Sequence, residues 1–435
     1  MLDRFGRARG VMRSEFLRHS AVVFGASLLI NMLGYAFHFA ISRRIGVVAY
    51  GVLSALNAGY MIALTLAAIL TTVVVKYAAE LHTQPDGAAR LGAFVHRLAA
   101  FCAAASATCL AGGLLALRPI ASFLHVTDLR AVALTIAIIG LTVASAPMRA
   151  VFQGIEDFVT FSWLALCESA VKAAAGIALV YAGFGVAGAF GGWLGGTVLS
   201  LGITTFVLLW RFRSSPKTAL DLDLRRLLAT TANVAAATAL LGIISYVDVL
   251  IVKHYADPTT AGLYGALALS GKILLFFVAF VPTIVLPKAA RLALAGRSPL
   301  PVLMQAAAVV VAISAAGLCV YALAPGTIVT TLAGASFAGA APYVLPYGVA
   351  MVLLAMLNVV VTYKMGIHRF DFIAPLAIVA AGEIVGIALH HRTLSDVISV
   401  LIVVNAFALI AALFRVNARL RLPVVSASVA APARR

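Results

Sequence analysis

Asp248, in the stretch SYVDVLIVKH at 245–254, is a carboxylate in a run that otherwise avoids water. Glu168, Lys172, Lys272 and Glu383 stand equally deep in other apolar runs, and so does His38. A charged side chain at the centre of a bilayer costs roughly 2.5–3.5 kcal/mol on insertion scales, so five of them facing lipid would cost on the order of 15 kcal/mol. That rivals the whole stability of an ordinary protein, about 5–15 kcal/mol. These groups are therefore expected to face protein or a water-filled space. Glu168 and Lys172 are four residues apart with the acid first, the favourable order for an intrahelical ion pair. Lys272 has no such neighbour within a turn and is the better candidate to hold an anion.

Helical spacing extends the pattern. Ser27, Asn31, Tyr35, His38 and Ser42 step by three or four residues and fall on one stripe of a helix. Thr230, Asn233, Ser245 and Asp248 form a looser stripe in a later run. A membrane-spanning helix turns such a stripe to a cavity or a packed interior. Two stripes imply a shared, hydrated central cavity, with Asn31, Tyr35, His38, Asn57, Ser245 and Asp248 as its candidate polar lining.

The elements that must position these residues follow from composition. The chain is 63% hydrophobic and 11% charged, with mean hydropathy +1.07. A soluble domain is about 25% charged. An all-α polytopic membrane protein is the expected class, because open sheets cannot satisfy their backbone in lipid. Apolar runs of about 20 residues or more predict twelve spans. The first, at about 20–42, is too long for a signal peptide and is read as an uncleaved span. With the N-terminus inside, 24 Lys/Arg fall in the tails and cytoplasmic gaps, six fall on the opposite face, and Lys172 and Lys272 lie within spans. This asymmetry predicts cytoplasmic N- and C-termini. The net charge of +17 belongs to these segments facing anionic lipid, not to a nucleic-acid surface. The four cysteines lie in apolar runs without metal-ligand spacing, and no metal or cofactor is expected.

The chain also repeats itself. Gly154, Ile155 and Phe158 recur as Gly366, Ile367 and Phe370, 212 residues later. Lys76 and Lys288 are again 212 apart, GIAL recurs at 176 and 386, and AYG at 49–51 matches LYG at 263–265. Six spans per repeat predict two bundles in the same orientation, related by a pseudo-two-fold axis along the membrane normal. The expected division is a tail at 1–19, bundles at 20–215 and 216–415, and a tail at 416–435. Aligning HFAISRRIGVVAYG with DVLIVKHYADPTTAGLYG places His38 on Asp248, Arg43 on Lys253 and Arg44 on His254.

With these elements the chain resembles the oligosaccharide flippases of polysaccharide biosynthesis, in the MATE-like MOP superfamily. The resemblance is carried by ISRRIGVVAYGVL after the first span, YVDVLIVKHYADPTTAGLYG after the seventh, and QG at 153–154. It implies a bacterial inner-membrane protein that turns an undecaprenyl-diphosphate-linked sugar unit to the outer face, for O-antigen or exopolysaccharide. It also implies a cationic cavity for the pyrophosphate, a role that Arg43, Arg44, Lys253 and Lys272 fit. Such a group carries about two negative charges and needs cations in place of its hydration. The implied partners are the lipid-linked glycan, membrane lipids, and a polysaccharide polymerase or export complex. Pro282 and Pro287 in the eighth span remove helix hydrogen bonds and would allow bending between access states.

Two other readings stand beside it. An ion-coupled drug or metabolite exporter of the same superfamily shares the fold, but many carry an acid in the first span, where this chain has Asn31 and His38. An integral membrane glycan polymerase would place reactive side chains on a long outer loop. Here the longest, near 325–342, carries no charge.

Overall fold

The computed structural model describes residues 2–84, 86–213, 224–414 and 416. The junction at 215/216, the tail beyond Val416 and the side chain of Thr230 lie outside the described residues. The described chain is helical throughout: α1 (Leu2–His82), α2 (Gly87–Leu115), α3 (Leu117–Phe123), α4 (Leu129–Gly154), α5 (Phe158–Leu179), α6 (Gly185–Arg211), α7 (Leu224–Tyr255), α8 (Pro258–Val278), α9 (Phe280–Leu294), α10 (Leu300–Leu323), α11 (Pro325–Leu332), α12 (Val344–Gly366), α13 (Ile373–Leu389) and α14 (Leu394–Leu413).

Nine of these stretches are long and apolar enough to cross a membrane. Two hold a pair of spans each. Val22–His82 runs for 61 residues and Phe158–Arg211 for 54, whereas a bilayer core needs only about 20. The shorter apolar helix Ile373–Leu389 completes twelve passes. The paired spans part where glycine permits a conformation that other residues resist. Gly46 has φ 78° inside α1, and Gly183 and Gly185 have φ 98° and 56° between α5 and α6. α8 and α9 form one span interrupted at Ala279. Pro282 lacks the N–H that would bond the carbonyl of Val278, the last residue of α8, so the expected bend in the eighth span has a local cause.

The duplication is visible in the backbone. Each half runs through two spans, a third, a short helix, and three more, with α3 and α11 as the equivalent short helices. α4 and α12 end alike. Gly154 and Gly366 pack so tightly on the end of the second and eighth spans that a Cβ would lie 2.7 Å from Val75 O and 2.8 Å from Leu286 O respectively. Two residues further on, Glu156 (φ 61°) and His368 (φ 55°) both adopt the left-handed conformation. The two bundles are thus pseudo-symmetric down to a strained turn.

Helix ends are capped where they leave the apolar layer. Asp257 accepts from Thr259 N at 2.9 Å and Thr260 N at 3.0 Å, with Pro258 at the first helical position of α8. Hydrogen bonds from the Thr260 side chain and backbone hold the Asp257 carboxyl below the usual carboxylate range. Thr393 and Asp396 form a reciprocal capping box at the start of α14.

Candidate functional site

A cavity of about 550 Å³ lies between the halves. α1 contributes Asn31, Tyr35, His38 and Asn57; α5 contributes Ser169 and Lys172; α7 contributes Ser245 and Tyr246; α8 contributes Lys272; α12 contributes Asn358. Asn31, Tyr35 and His38 of the first-span stripe therefore do face a shared space, whereas Ser42 is buried and Ser27 is not among the lining residues. Two lining residues are pinned within their own helices: Asn31 Nδ2 donates to Ser27 O at 2.8 Å, and Ser245 Oγ to Leu241 O at 2.6 Å. Tyr35 meets Phe276 edge to face across the two halves, with ring centroids 6.3 Å apart.

The charges in this cavity have one sign. Lys272 Nζ sits 3.8 Å from the centre of the Tyr246 ring. Lys172 Nζ sits 3.3 Å from the Trp193 ring and 5.1 Å from Phe37. No carboxylate is among the described lining residues. An aromatic face attracts a cation without neutralising it, and contributes on the order of 1–2 kcal/mol when the pair is desolvated. One lysine amine from each half is thus oriented by an aromatic ring, with no carboxylate beside it in the described lining. Around them stand amides and hydroxyls, the partners that a polyhydroxyl ligand needs.

A family model of polysaccharide biosynthesis proteins matches residues 16–292. The chain belongs to that family. No curated protein matches this chain by sequence. Among solved structures, the fold is similar to an inward-facing multidrug-resistance MATE transporter of the MOP superfamily, at TM-score 0.72 and 13% identity over 88% of this chain and 92% of the other. It is also similar to the lipid II flippase MurJ in an inward closed conformation, at TM-score 0.68 and 13% identity over 92% and 87%. A eukaryotic MATE transporter, AtDTX14, matches at TM-score 0.57 and 12% identity over 91% and 95%. At these identities the likeness concerns the fold alone.

Within this family member, several residues singled out in the sequence take other positions. Glu168 does not pair with Lys172. Its Oε2 lies 2.6 Å from Arg149 Nη1, at the end of α4, and Thr197 donates to its Oε1 at 3.3 Å. The guanidinium offers a fork that a neighbouring ammonium on the same helix cannot. Lys172 is thereby released to the cavity, a role that its sequence spacing concealed. Of the four cations assigned to a pyrophosphate, only Lys272 lines the cavity. Arg43 and Arg44 are exposed at the end of the molecule that carries Gly46, and Lys253 is buried near that same end.

Asp248 also lies outside the cavity lining and is only 2% exposed. Its Oδ2 accepts from Tyr264 at 2.7 Å and Tyr347 at 3.2 Å, within the second half. The first half holds the matching contact: Tyr50 Oη lies 3.1 Å from His38 Nδ1. His38 aligns with Asp248, and Tyr50 with Tyr264. Each half thus ties its first span to the tyrosine that opens its second, and the aspartate serves this tie rather than the ligand space. Asp248 Oδ1, both Glu383 carboxylate oxygens and Asn405 Oδ1 are buried without a hydrogen-bond partner among the described residues.

Proposed function

We propose that this chain is a flippase for an anionic lipid-linked oligosaccharide, an undecaprenyl-diphosphate-linked repeat unit. It works in the bacterial inner membrane with both termini in the cytoplasm, and supplies a polysaccharide polymerase or export complex. The observation that carries this reading is the presence of Lys172 and Lys272, one from each half, in a cavity that also presents amides and hydroxyls and has no carboxylate among its described lining residues. An exporter of cationic drugs needs the opposite charge in that place. Two ammonium groups instead match a diphosphate, whose oxygens they reach as separate point charges. Because the ligand touches both halves, moving one half against the other alters its contacts, which alternating access requires. The break between α8 and α9 gives the Lys272 span a place to bend.

The test is made in cells lacking the chromosomal gene. Lys172→Ala and Lys272→Ala proteins should insert at normal levels yet leave undecaprenyl-linked units accumulating on the cytoplasmic face. Lys272→Arg should restore part of the export. Normal export by both alanine variants would refute the diphosphate assignment. Drug sensitivity without accumulation of the lipid-linked unit would identify an exporter instead.

A further inference from the structure

At the end of the molecule that carries Gly46, each half reaches across to the last carbonyls of the other half's short helix. Arg43, at the end of the first span, donates from Nη2 to Thr331 O at 2.7 Å and Thr330 O at 3.1 Å, and from Nη1 to Leu332 O at 3.4 Å. These are the final carbonyls of α11. His254, at the end of the seventh span, places Nδ1 2.6 Å from Phe123 O, the final carbonyl of α3. Because a carbonyl only accepts, His254 carries its hydrogen on Nδ1 in this contact. The arrangement is reciprocal. α3 and α11 are equivalent, and His254 aligns with Arg44, the immediate neighbour of Arg43. The acceptors also match, since each short helix is followed two residues later by a left-handed residue, His125 (φ 50°) or Gly334 (φ 113°).

Both contacts are reinforced by rings. The Arg43 guanidinium carbon lies 3.6 Å from the centre of the Phe39 ring. The His254 ring stacks on Phe123 at 4.3 Å and an interplanar angle of 7°, with His125 5.3 Å away. The last carbonyls of a helix lack intrahelical donors and carry the negative end of its dipole, so a cationic or N–H donor suits them. Between the two contacts the backbones touch. A Cβ on Gly262 would lie 2.0 Å from Val47 O, and one on Gly51 would lie 2.9 Å from Gly262 N.

We infer that Arg43 on α11 and His254 on α3 form a two-part latch, which holds the halves closed over the cavity at this end and must be released for the cavity to open there. Neither residue lines the cavity, so neither meets a ligand held there. The inference rests on the alternating-access reading above, but not on the identity of what is carried. Opening the halves by even a few ångströms exceeds hydrogen-bond reach and breaks both contacts. Closing them restores both, which makes the latch a two-state element rather than a graded spring.

The test uses the full-length protein with its native cysteines replaced and one cysteine introduced at Asn57, in the cavity. A membrane-impermeant maleimide is added from the side that bears the latch. Arg43→Ala, which loses bonds to three α11 carbonyls, should speed labelling on the order of tenfold or more, and His254→Ala, which loses one to α3, several-fold. The double variant should be faster than either. Arg43→Lys and His254→Gln keep a donor and should label close to the parent. Labelling of a reference cysteine at Ser336, which is exposed here and does not line the cavity, should stay constant and so exclude unfolding. Unchanged cavity labelling in all four alanine and conservative variants would overturn the latch. If an alanine variant fails to insert, the conservative pair decides, because each must label more slowly than a cavity cysteine combined with Gly262→Ala, which wedges the same seam. Faster labelling in the alanine variants of a strain with no glycan phenotype would keep the latch and discard the proposed cargo.

Discussion

Arg149 and Glu168, on neighbouring helices and 2.6 Å apart, hold each other with side chains 20% and 14% exposed. Breaking one side of a buried pair leaves an uncompensated charge, at about 3–5 kcal/mol when fully buried and less with partial exposure. Glu168→Gln is therefore expected to destabilise the detergent-solubilised protein by roughly 1–3 kcal/mol. The pair Arg149→Met with Glu168→Leu should recover much of that loss. Thermal unfolding of the three proteins checks it; equal midpoints for parent and Glu168→Gln would remove the pair from the fold's support.

Asp248 receives two tyrosine hydroxyls in a site closed to solvent. Asp248→Asn keeps an acceptor oxygen of the same size, whereas Asp248→Leu orphans Tyr264 and Tyr347. Each buried hydroxyl left unpaired costs about 1–3 kcal/mol. The unfolding midpoint should thus fall clearly for the leucine variant and little for the asparagine variant. Replacing both tyrosines by phenylalanine together with Asp248→Leu should restore part of the stability, and a triple variant as weak as Asp248→Leu alone would argue against the hydrogen-bond account.

Gly192 and Gly262 are both at backbone contacts, but in different places. A Cβ on Gly192 would lie 2.0 Å from Gly176 N, inside the α5–α6 pair of one half. Gly192→Ala should lower the yield of folded protein, because no movement between halves relieves the clash. Gly262→Ala meets the other half instead, so it should fold at nearly parental yield while shifting the halves apart. Size-exclusion profiles for folding, with cavity labelling for separation, tell the two outcomes apart.

Tyr246 presents its ring, not its hydroxyl, to Lys272. Tyr246→Phe should retain export, since the face that attracts the ammonium survives. Tyr246→Leu should reduce export several-fold by freeing the Lys272 rotamer, with apparent glycan affinity affected more than protein level. Equal export by both would deny the ring a positioning role.

Topology has its own test. A cysteine at Thr83 should react only with a probe inside the cell, and one at Ser336 only with a probe outside. Both sites are exposed, on opposite ends of the spans. Reversal at either position would reject the proposed orientation.

Much of the fold could be read from the residues. The twelve spans, the repeat offset and the polar face of the first span all reflect periodicities that lipid imposes along a single helix. The site was legible only where one helix decides the matter. Asn31, Tyr35 and His38 share a face by helical geometry, and that face does line the cavity. The partner of Glu168 depends on a helix nineteen residues earlier, and an i,i+4 rule cannot weigh a guanidinium arriving from outside. Asp248 was found by its cost in lipid, which says that it is sheltered but not by what. Tyr264 and Tyr347 supply the shelter, 16 and 99 residues away. The repeat did hint at the tie, because His38 and Tyr50 recur as Asp248 and Tyr264, yet alignment cannot show that aligned residues bond.

The reach of Arg43 also sets a timetable. Its acceptor Thr331 O is 288 residues further along the chain. At about 5–20 residues per second, synthesis separates the two by roughly 15–60 s. Throughout that interval the Arg43 guanidinium has only the Phe39 carbonyl and ring of its own helix, and stands open to lipid phosphates or to any insertion factor that offers carbonyls. The Arg43 side of the seam is consequently completed only after α10 and α11 have been made, and the half-made protein is a cup without its lid.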